Sequence, residues 1–252
     1  MKTRTSQNGV AGIMSKLLHD IKSAALALAA LALAAPSAWG AYTSGMQWKD
    51  GVSGNLNAAG NWTGGKAPAS GNILGFVNSG AGVSYVTNSA AASYQPRFDK
   101  GNFVLVASKT LTANNTFHIA SSDGGGTGPA SVTKYGDVMV DRYMHMAQVA
   151  DSHAFFTNKT GKLIHCTNPD TGTSRHQNGL RIASGTRSEA EFVVQGGYAV
   201  SSNGVTIAHG SDSTGRMIIN GGYFFSYGNG WGGAHGGWHE HGCPCVELDG
   251  LA

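Results

Sequence analysis

The sequence predicts an all-β fold, a β-solenoid with coils of about 25 residues, on three observations. The segments that begin at Ser188 and Ser213 repeat one pattern, with Ser, Gly, Gly, Tyr and Ser in common. A shorter pattern, apolar–polar–apolar–Ala, occurs four times, and 38 glycines are about twice the usual share. A short period built from strands and turns is typical of stacked coils that bury their apolar faces on one another.

Residues 1–40 predict a signal peptide. Lys16 and Lys22 precede an apolar run over residues 24–35, and Ala38-Trp39-Gly40 places small residues before a cut at Ala41. The run is about 12 residues long, whereas a bilayer span needs about 20. We therefore expect a secreted protein whose mature chain has no transmembrane anchor.

The leader also accounts for the net charge of the chain. Its four basic residues, Lys2, Arg4, Lys16 and Lys22, against the single Asp20 make up the whole formal excess of +3. The mature chain is formally neutral, so electrostatics gives no support for nucleic-acid binding.

Residues 41–76 predict an N-terminal cap that contains tryptophan. Trp48 and Trp62 stand among Gly, Asn and Ser, and two tryptophans in so polar a segment favour burial against the first coil. An exposed aromatic platform for carbohydrate is the alternative.

Residues 77–237 predict the repeating coils. The copies of the apolar–polar–apolar–Ala pattern are centred near Ile119, Met146, Ile182 and Ile207, and the interval from Met146 to Ile182 is the longest. This long interval is explained by an insertion loop, 166–179, which is rich in turn residues. The alternation predicts that Ile182, Ile207 and Ile219 are stacked inward in successive coils and that Thr206 points outward, and the alanine after each strand suits a tight corner.

The N-terminal segment also resembles a known family. Trp48, Ala59-Gly60-Asn61-Trp62, Gly64-Gly65, Pro68 and Gly71-Asn72-Ile73 resemble the opening of bacterial surface and secreted proteins with autotransporter-associated β-strand repeats. The later coils are similar to the Gly-Gly-centred repeats of the same group. The resemblance implies a right-handed parallel β-helix outside the cell, in an autotransporter-like or adhesin-like role.

The C-terminal tail, 238–252, and the residues just before it carry candidate metal ligands. Imidazole and thiolate are ligands for zinc or copper, and they are supplied here by His235, His239, His241, Cys243 and Cys245. The C-x-C spacing is shorter than structural zinc sites favour, and Ala-His-Gly at His235 repeats the same triplet at His209. We expect no metal site and no cofactor.

Catalytic motifs of the serine-hydrolase, zinc-protease and phosphate-loop types are absent from the sequence. The nearest approach to a catalytic cluster is Asp137, Asp141 and Arg142, since acidic and basic residues line the groove of β-helix polysaccharide lyases. A solvated strand face explains the same three residues. We therefore expect a secreted, non-catalytic structural or adhesin-like element, which contacts extracellular polysaccharide or cell-surface components. The alternative is a β-helix protein that binds or degrades polysaccharide.

Overall fold

The computed structural model describes residues 45–121, 128–165, 179–202 and 204–226, and the backbone of two later strands. The protein is all-β, with 59% of the described residues in strands, and Ala59–Asn61 form one 3₁₀ turn. The strands of the described chain are β1 (Met46–Gln47), β2 (Gly54–Asn55), β3 (Ile73–Val77), β4 (Val83–Asn88), β5 (Ala92–Ala113), β6 (Thr116–Ile119), β7 (Ala130–Val140), β8 (Tyr143–Met146), β9 (His153–Asn158), β10 (Lys162–His165), β11 (Leu180–Ile182), β12 (Glu189–Val194), β13 (Tyr198–Ser201), β14 (Val205–Ile207), β15 (Thr214–Asn220), β16 (Tyr223–Ser226), β17 (His235–Gly236) and β18 (Cys243–Asp249).

The strands pair in three parallel ladders. The first ladder runs β1–β3–β5–β6–β8–β11–β14–β17. The second runs β2–β4–β5–β7–β9–β12–β15–β18. The third runs β5–β7–β10–β13–β16. The chain crosses the ladders in the same order on each pass, and each pass lies beside the one before it.

The register of the ladders confirms the two sequence repeats. In the first ladder Ile119 pairs with Met146, Met146 with Ile182, and Ile182 with Ile207. In the second ladder the triplet 192–194 pairs residue for residue with 217–219.

The predicted alternation is confirmed in β14. Val205 and Ile207 are 5% and 2% exposed, and Thr206 between them is partly exposed. The prediction that Ile219 joins the stack of Ile182 and Ile207 is wrong. Ile219 lies in the second ladder, paired with Val194, and packs against the same core from there.

A column of aromatic rings runs through the interior, which we call the aromatic column. Neighbouring ring centroids are between 4.5 and 6.3 Å apart. Its members are Trp48, Trp62, Phe76, Phe98, Phe117, Phe156, Phe192 and Phe224. The two tryptophans are 1% and 0% exposed, so the alternative of an exposed aromatic platform at these positions is wrong.

Two kinds of corner hold the passes in register. An alanine follows the first-ladder strand on four passes in the left-handed conformation, with φ between 49° and 57°, at Ala120, Ala147, Ala183 and Ala208. The second corner needs glycine because the backbones of neighbouring passes pack closely there. A Cβ on Gly197, which has φ +66°, would lie 2.1 Å from the carbonyl oxygen of Gly161 on the previous pass. A side chain at Gly197 would therefore force the two passes apart at this corner.

The serines that open the repeat have a structural role. The hydroxyls of Ser152, Ser188 and Ser213 each donate to the carbonyl three residues earlier, at 2.6, 2.7 and 2.6 Å. These side chains are almost fully buried. The recurrence of serine at this position thus reflects a turn that the side chain closes from inside.

Candidate functional site

Several predicted features lie outside the described residues. They include the signal peptide, the insertion loop 166–179 apart from Gly179, and the side chains of His235, His239, His241, Cys243 and Cys245. Within the part of the chain that is described, no group of three or more His, Cys, Asp or Glu side chains is placed to hold a metal ion. The same part contains no helix long and apolar enough to cross a membrane.

The candidate lyase cluster is spread along one strand and the turn after it. Asp137 accepts a 2.9 Å hydrogen bond from the backbone N–H of Lys162 on the next pass. Asp141 and Arg142 follow the end of β7, where their backbone N–H groups donate to carbonyls of the preceding pass. Four residues of extended chain span about 13 Å. The structure therefore does not bring Asp137 to one point with Asp141 and Arg142.

A buried histidine is used for structure. His165 is 2% exposed, and its Nε2 accepts a 3.0 Å hydrogen bond from the backbone N–H of Met144. Its Nδ1 lies 3.3 Å from Ser201 Oγ, which itself donates to the carbonyl of Gly204 at 2.6 Å. Burial, together with the nearby His145, lowers the pKa of His165 to about 3. The ring is neutral at physiological pH and ties three strands together.

A buried lysine interrupts the apolar interior, and the sequence pattern gave no sign of it. The side chain of Lys134 is 0% exposed. Its Nζ donates to Asn158 Oδ1 at 2.6 Å and to the carbonyl of Lys162 at 2.9 Å. Burial lowers the pKa of Lys134 to about 7, against the opposing attraction of Asp137. The amine links the second and third ladders from inside.

A row of basic and titratable side chains follows the first ladder. Arg97, His118, His145 and Arg181 occupy one register position on successive passes. The rings of His118 and His145 are stacked with centroids 5.4 Å apart, and these side chains are only 6% and 7% exposed. The two histidines of this row are therefore buried in the fold and not open to a polymeric ligand.

The third ladder carries a different kind of outer surface, which we call the third-ladder face. It consists of the outward residues of β10, β13 and β16: Lys162, Ile164, Tyr198, Val200, Tyr223 and Phe225. Their pairing places Lys162, Tyr198 and Tyr223 in one row and Ile164, Val200 and Phe225 in a second row beside it.

Two of the three aromatic members of this face are open to solvent, and the third, Tyr198, is partly exposed. Tyr223 is 70% exposed and Phe225 is 45% exposed. Their rings are stacked at 15° with centroids 6.4 Å apart. The Nζ of Lys162 lies 5.7 Å from the centroid of the Tyr198 ring. Contiguous exposed apolar surface of this kind marks an interaction site more often than isolated apolar residues do.

Sequence reasoning missed the third-ladder face, although one signal for it was present. Tyr198 and Tyr223 coincide in the repeat that begins at Ser188 and Ser213, and each follows a Gly-Gly pair and precedes an inward residue. A tyrosine at an outward position on two adjacent passes predicts an exposed aromatic row. Lys162 and Ile164 carry no such signal, because the long interval with the insertion loop separates them from their partners.

Comparison with protein-family models, with curated proteins and with solved structures finds no match to this chain.

Proposed function

We propose that the parallel ladders are the coils of a right-handed β-solenoid with a period of about 25 residues. We propose further that it serves as a secreted, non-catalytic structural and adhesin-like element at the outer surface of a bacterial cell. Crossover connections between parallel strands are right-handed in about 98% of cases, which supports the handedness. The register of Ile182 with Ile207 and of Phe192 with Met217 supports the period.

The aromatic column is the observation that carries the structural role. It extends from Trp48 on the first pass to Phe224 on a late one, and ring contacts link each member to the next. Each coil buries apolar surface only against its neighbours, so stability grows with the number of stacked coils. Such a shape suits an extended spacer that presents an outer surface.

The use of the polar groups supports the same proposal. Among the described residues, Lys134 and His165 are the buried groups with the largest shifts in pKa, and their polar atoms are engaged in hydrogen bonds to backbone and side-chain groups of neighbouring passes. Asp137 holds a backbone N–H. These groups connect neighbouring passes, whereas catalysis needs groups that converge on open space.

The location of the protein outside the cell can be tested on cells that produce it. We expect mass spectrometry of the exported protein to find Ala41 as its first residue. We also expect protease added to intact cells to remove it. A mature chain that retains residues 24–35, or one that external protease cannot reach, would contradict the extracellular part of the proposal.

The enzymatic alternative has its own test. The mature protein is incubated with polygalacturonate and with alginate, and the ultraviolet absorbance of unsaturated sugar products is followed. We expect no increase over a heat-denatured control. An increase that Asp137→Asn and Arg142→Gln both abolish would establish a lyase and overturn the non-catalytic role.

A further inference from the structure

We propose that the third-ladder face binds a neutral polysaccharide chain that lies along the stacking direction of the coils. This inference rests on the proposed adhesin-like function and names the site and ligand class for it. Its first support is the register: Tyr198 pairs with Tyr223, and Val200 pairs with Phe225. Equivalent side chains on neighbouring strands are about 4.8 Å apart, so the face repeats at a spacing close to the length of one sugar unit.

The chemistry of the face fits a sugar. The faces of aromatic rings carry negative charge, and the C–H bonds on the apolar side of a pyranose ring carry partial positive charge. Tyr198 and Tyr223 also bring hydroxyl groups, and Lys162 brings an ammonium, so the edges of the same face can hydrogen-bond to sugar hydroxyls. Ile164 and Val200 form an apolar floor beside them.

The charge of the face favours a neutral ligand over an acidic one. Of the six residues only Lys162 is charged, and Asp137 adjoins it in register on β7. An acidic polysaccharide would meet one ammonium with a carboxylate beside it, which gives little net attraction at physiological ionic strength. Recognition therefore depends on ring stacking and hydrogen bonds, which do not require a charged sugar.

The size of the face argues against a second copy of this chain as the occupant. Three strands at about 4.8 Å and two outward positions about 7 Å apart give a footprint on the order of 100 Å². A stable protein–protein interface needs about 800 Å² on each partner. A linear chain of sugars needs only a narrow track.

The second ladder offers a matched control surface. Tyr85 and Tyr135 are 53% and 37% exposed on its outer side. They do not share a register position, because Tyr85 pairs with Val104 whereas Tyr135 pairs with Val106. They are exposed tyrosines without an aligned row.

Affinity electrophoresis of the full mature protein in native gels tests the proposal. The gels contain dissolved dextran, galactomannan, xyloglucan or, as the acidic comparison, alginate. We expect at least one neutral polymer to retard the protein and alginate to leave its mobility unchanged. The double variant Tyr198→Ala with Tyr223→Ala should weaken that binding by about fivefold or more, since each ring contact is worth about 0.5–1.5 kcal/mol. The double variant Tyr85→Ala with Tyr135→Ala should bind as the wild type does.

Three outcomes would overturn the proposal. They are retardation by alginate alone, an equal loss of binding in both double variants, and no retardation by any neutral polymer in the panel. A change from dimer to monomer in sedimentation of the Tyr198→Ala, Tyr223→Ala variant would instead identify the face as a contact between copies. Circular dichroism of each variant checks that the strands are intact. None of these results bears on where the protein is located, so the proposed extracellular role is tested separately.

Discussion

The aromatic column and the third-ladder face are built from the same kinds of residue, yet one is sealed and the other is open. Phe192 in the column is 0% exposed, and Tyr223 on the face is 70% exposed. Both belong to parallel strands that stack on equivalent strands of the neighbouring pass. The difference comes mainly from the direction in which the side chain leaves its strand, and β16 is also the more exposed strand, since its inward Phe224 is only partly buried. Alternation along each strand thus separates residues that stabilise the stack from residues that are available to a ligand.

The largest expected difference between the two regions is in stability. Phe192→Ala removes a ring that contacts Phe156 at 5.2 Å and Phe224 at 6.3 Å. We expect a loss of about 3–5 kcal/mol in the free energy of unfolding, from lost burial and the cavity that remains. Tyr223→Ala, on the open face, should change it by about 0.5 kcal/mol or less. Urea unfolding measures both, and similar losses would remove the distinction between column and face.

The next effect compares a lysine buried in the interior, Lys134, with a lysine on the third-ladder face, Lys162. The folded chain releases the proton of Lys134 at a pKa of about 7, but the unfolded chain holds it to about 10.5. Between these values the unfolded state binds more protons, so the free energy of unfolding rises with pH, by about 2–4 kcal/mol. Lys134→Met should flatten this rise.

Lys162→Met is the matched control, since Lys162 is exposed on the third-ladder face. Its pH profile should follow that of the wild type. Urea midpoints at about pH 7 and about pH 10 provide the comparison. If the stability of the wild type does not rise with pH, or rises equally in Lys134→Met, the amine of Lys134 is not buried in the folded chain.

The smallest of these effects concerns Gly197, the corner residue that joins the interior to the face at Tyr198. Both Gly197 and Gly51 have positive φ, +66° and +68°, but only Gly197 has backbone within contact of an added Cβ. Gly51→Ala should cost about 1 kcal/mol, because alanine disfavours the left-handed conformation. Gly197→Ala should cost about 2 kcal/mol more, because the carbonyl of Gly161 must move. Equal costs by urea unfolding would mean that the passes are not in close contact at this corner.

Much of the fold is visible in the sequence because the stacked segments repeat. The repeat that begins at Ser188 and Ser213 aligns residues 192–194 with 217–219, and these triplets pair in the second ladder, although the predicted stack of Ile219 with Ile182 and Ile207 is wrong. The alanines at the first corner and the alternation around Thr206 were visible for the same reason. Each of these features recurs, and recurrence along the chain is the direct consequence of stacking in space.

The parts that do not recur could not be predicted. Lys134 occupies an inward position where the pattern predicts an apolar residue, and only its partners Asn158 and the Lys162 carbonyl make it tolerable there. His118 and His145 occupy outward positions of their strands but are buried. The alternation of the sequence predicts their direction and not their burial. The third-ladder face joins β10 to β13 across the long interval. The pairing of these two strands cannot be read from the sequence repeat, so the residues that form the face could not be predicted.

The central claim is that successive passes stack with a fixed inward and outward face, and one pair of adjacent residues tests it most directly. Ile207 is 2% exposed beneath Ile182 in the first ladder, and Thr206 points to the other side. Ile207→Asp should lower the free energy of unfolding by several kcal/mol, since it places an uncompensated carboxylate among apolar side chains. Thr206→Asp, in register with Arg181, should change it by less than about 1 kcal/mol. Equal urea midpoints for the two variants would contradict the stacked alternation, and the solenoid with its outer face would have to be abandoned.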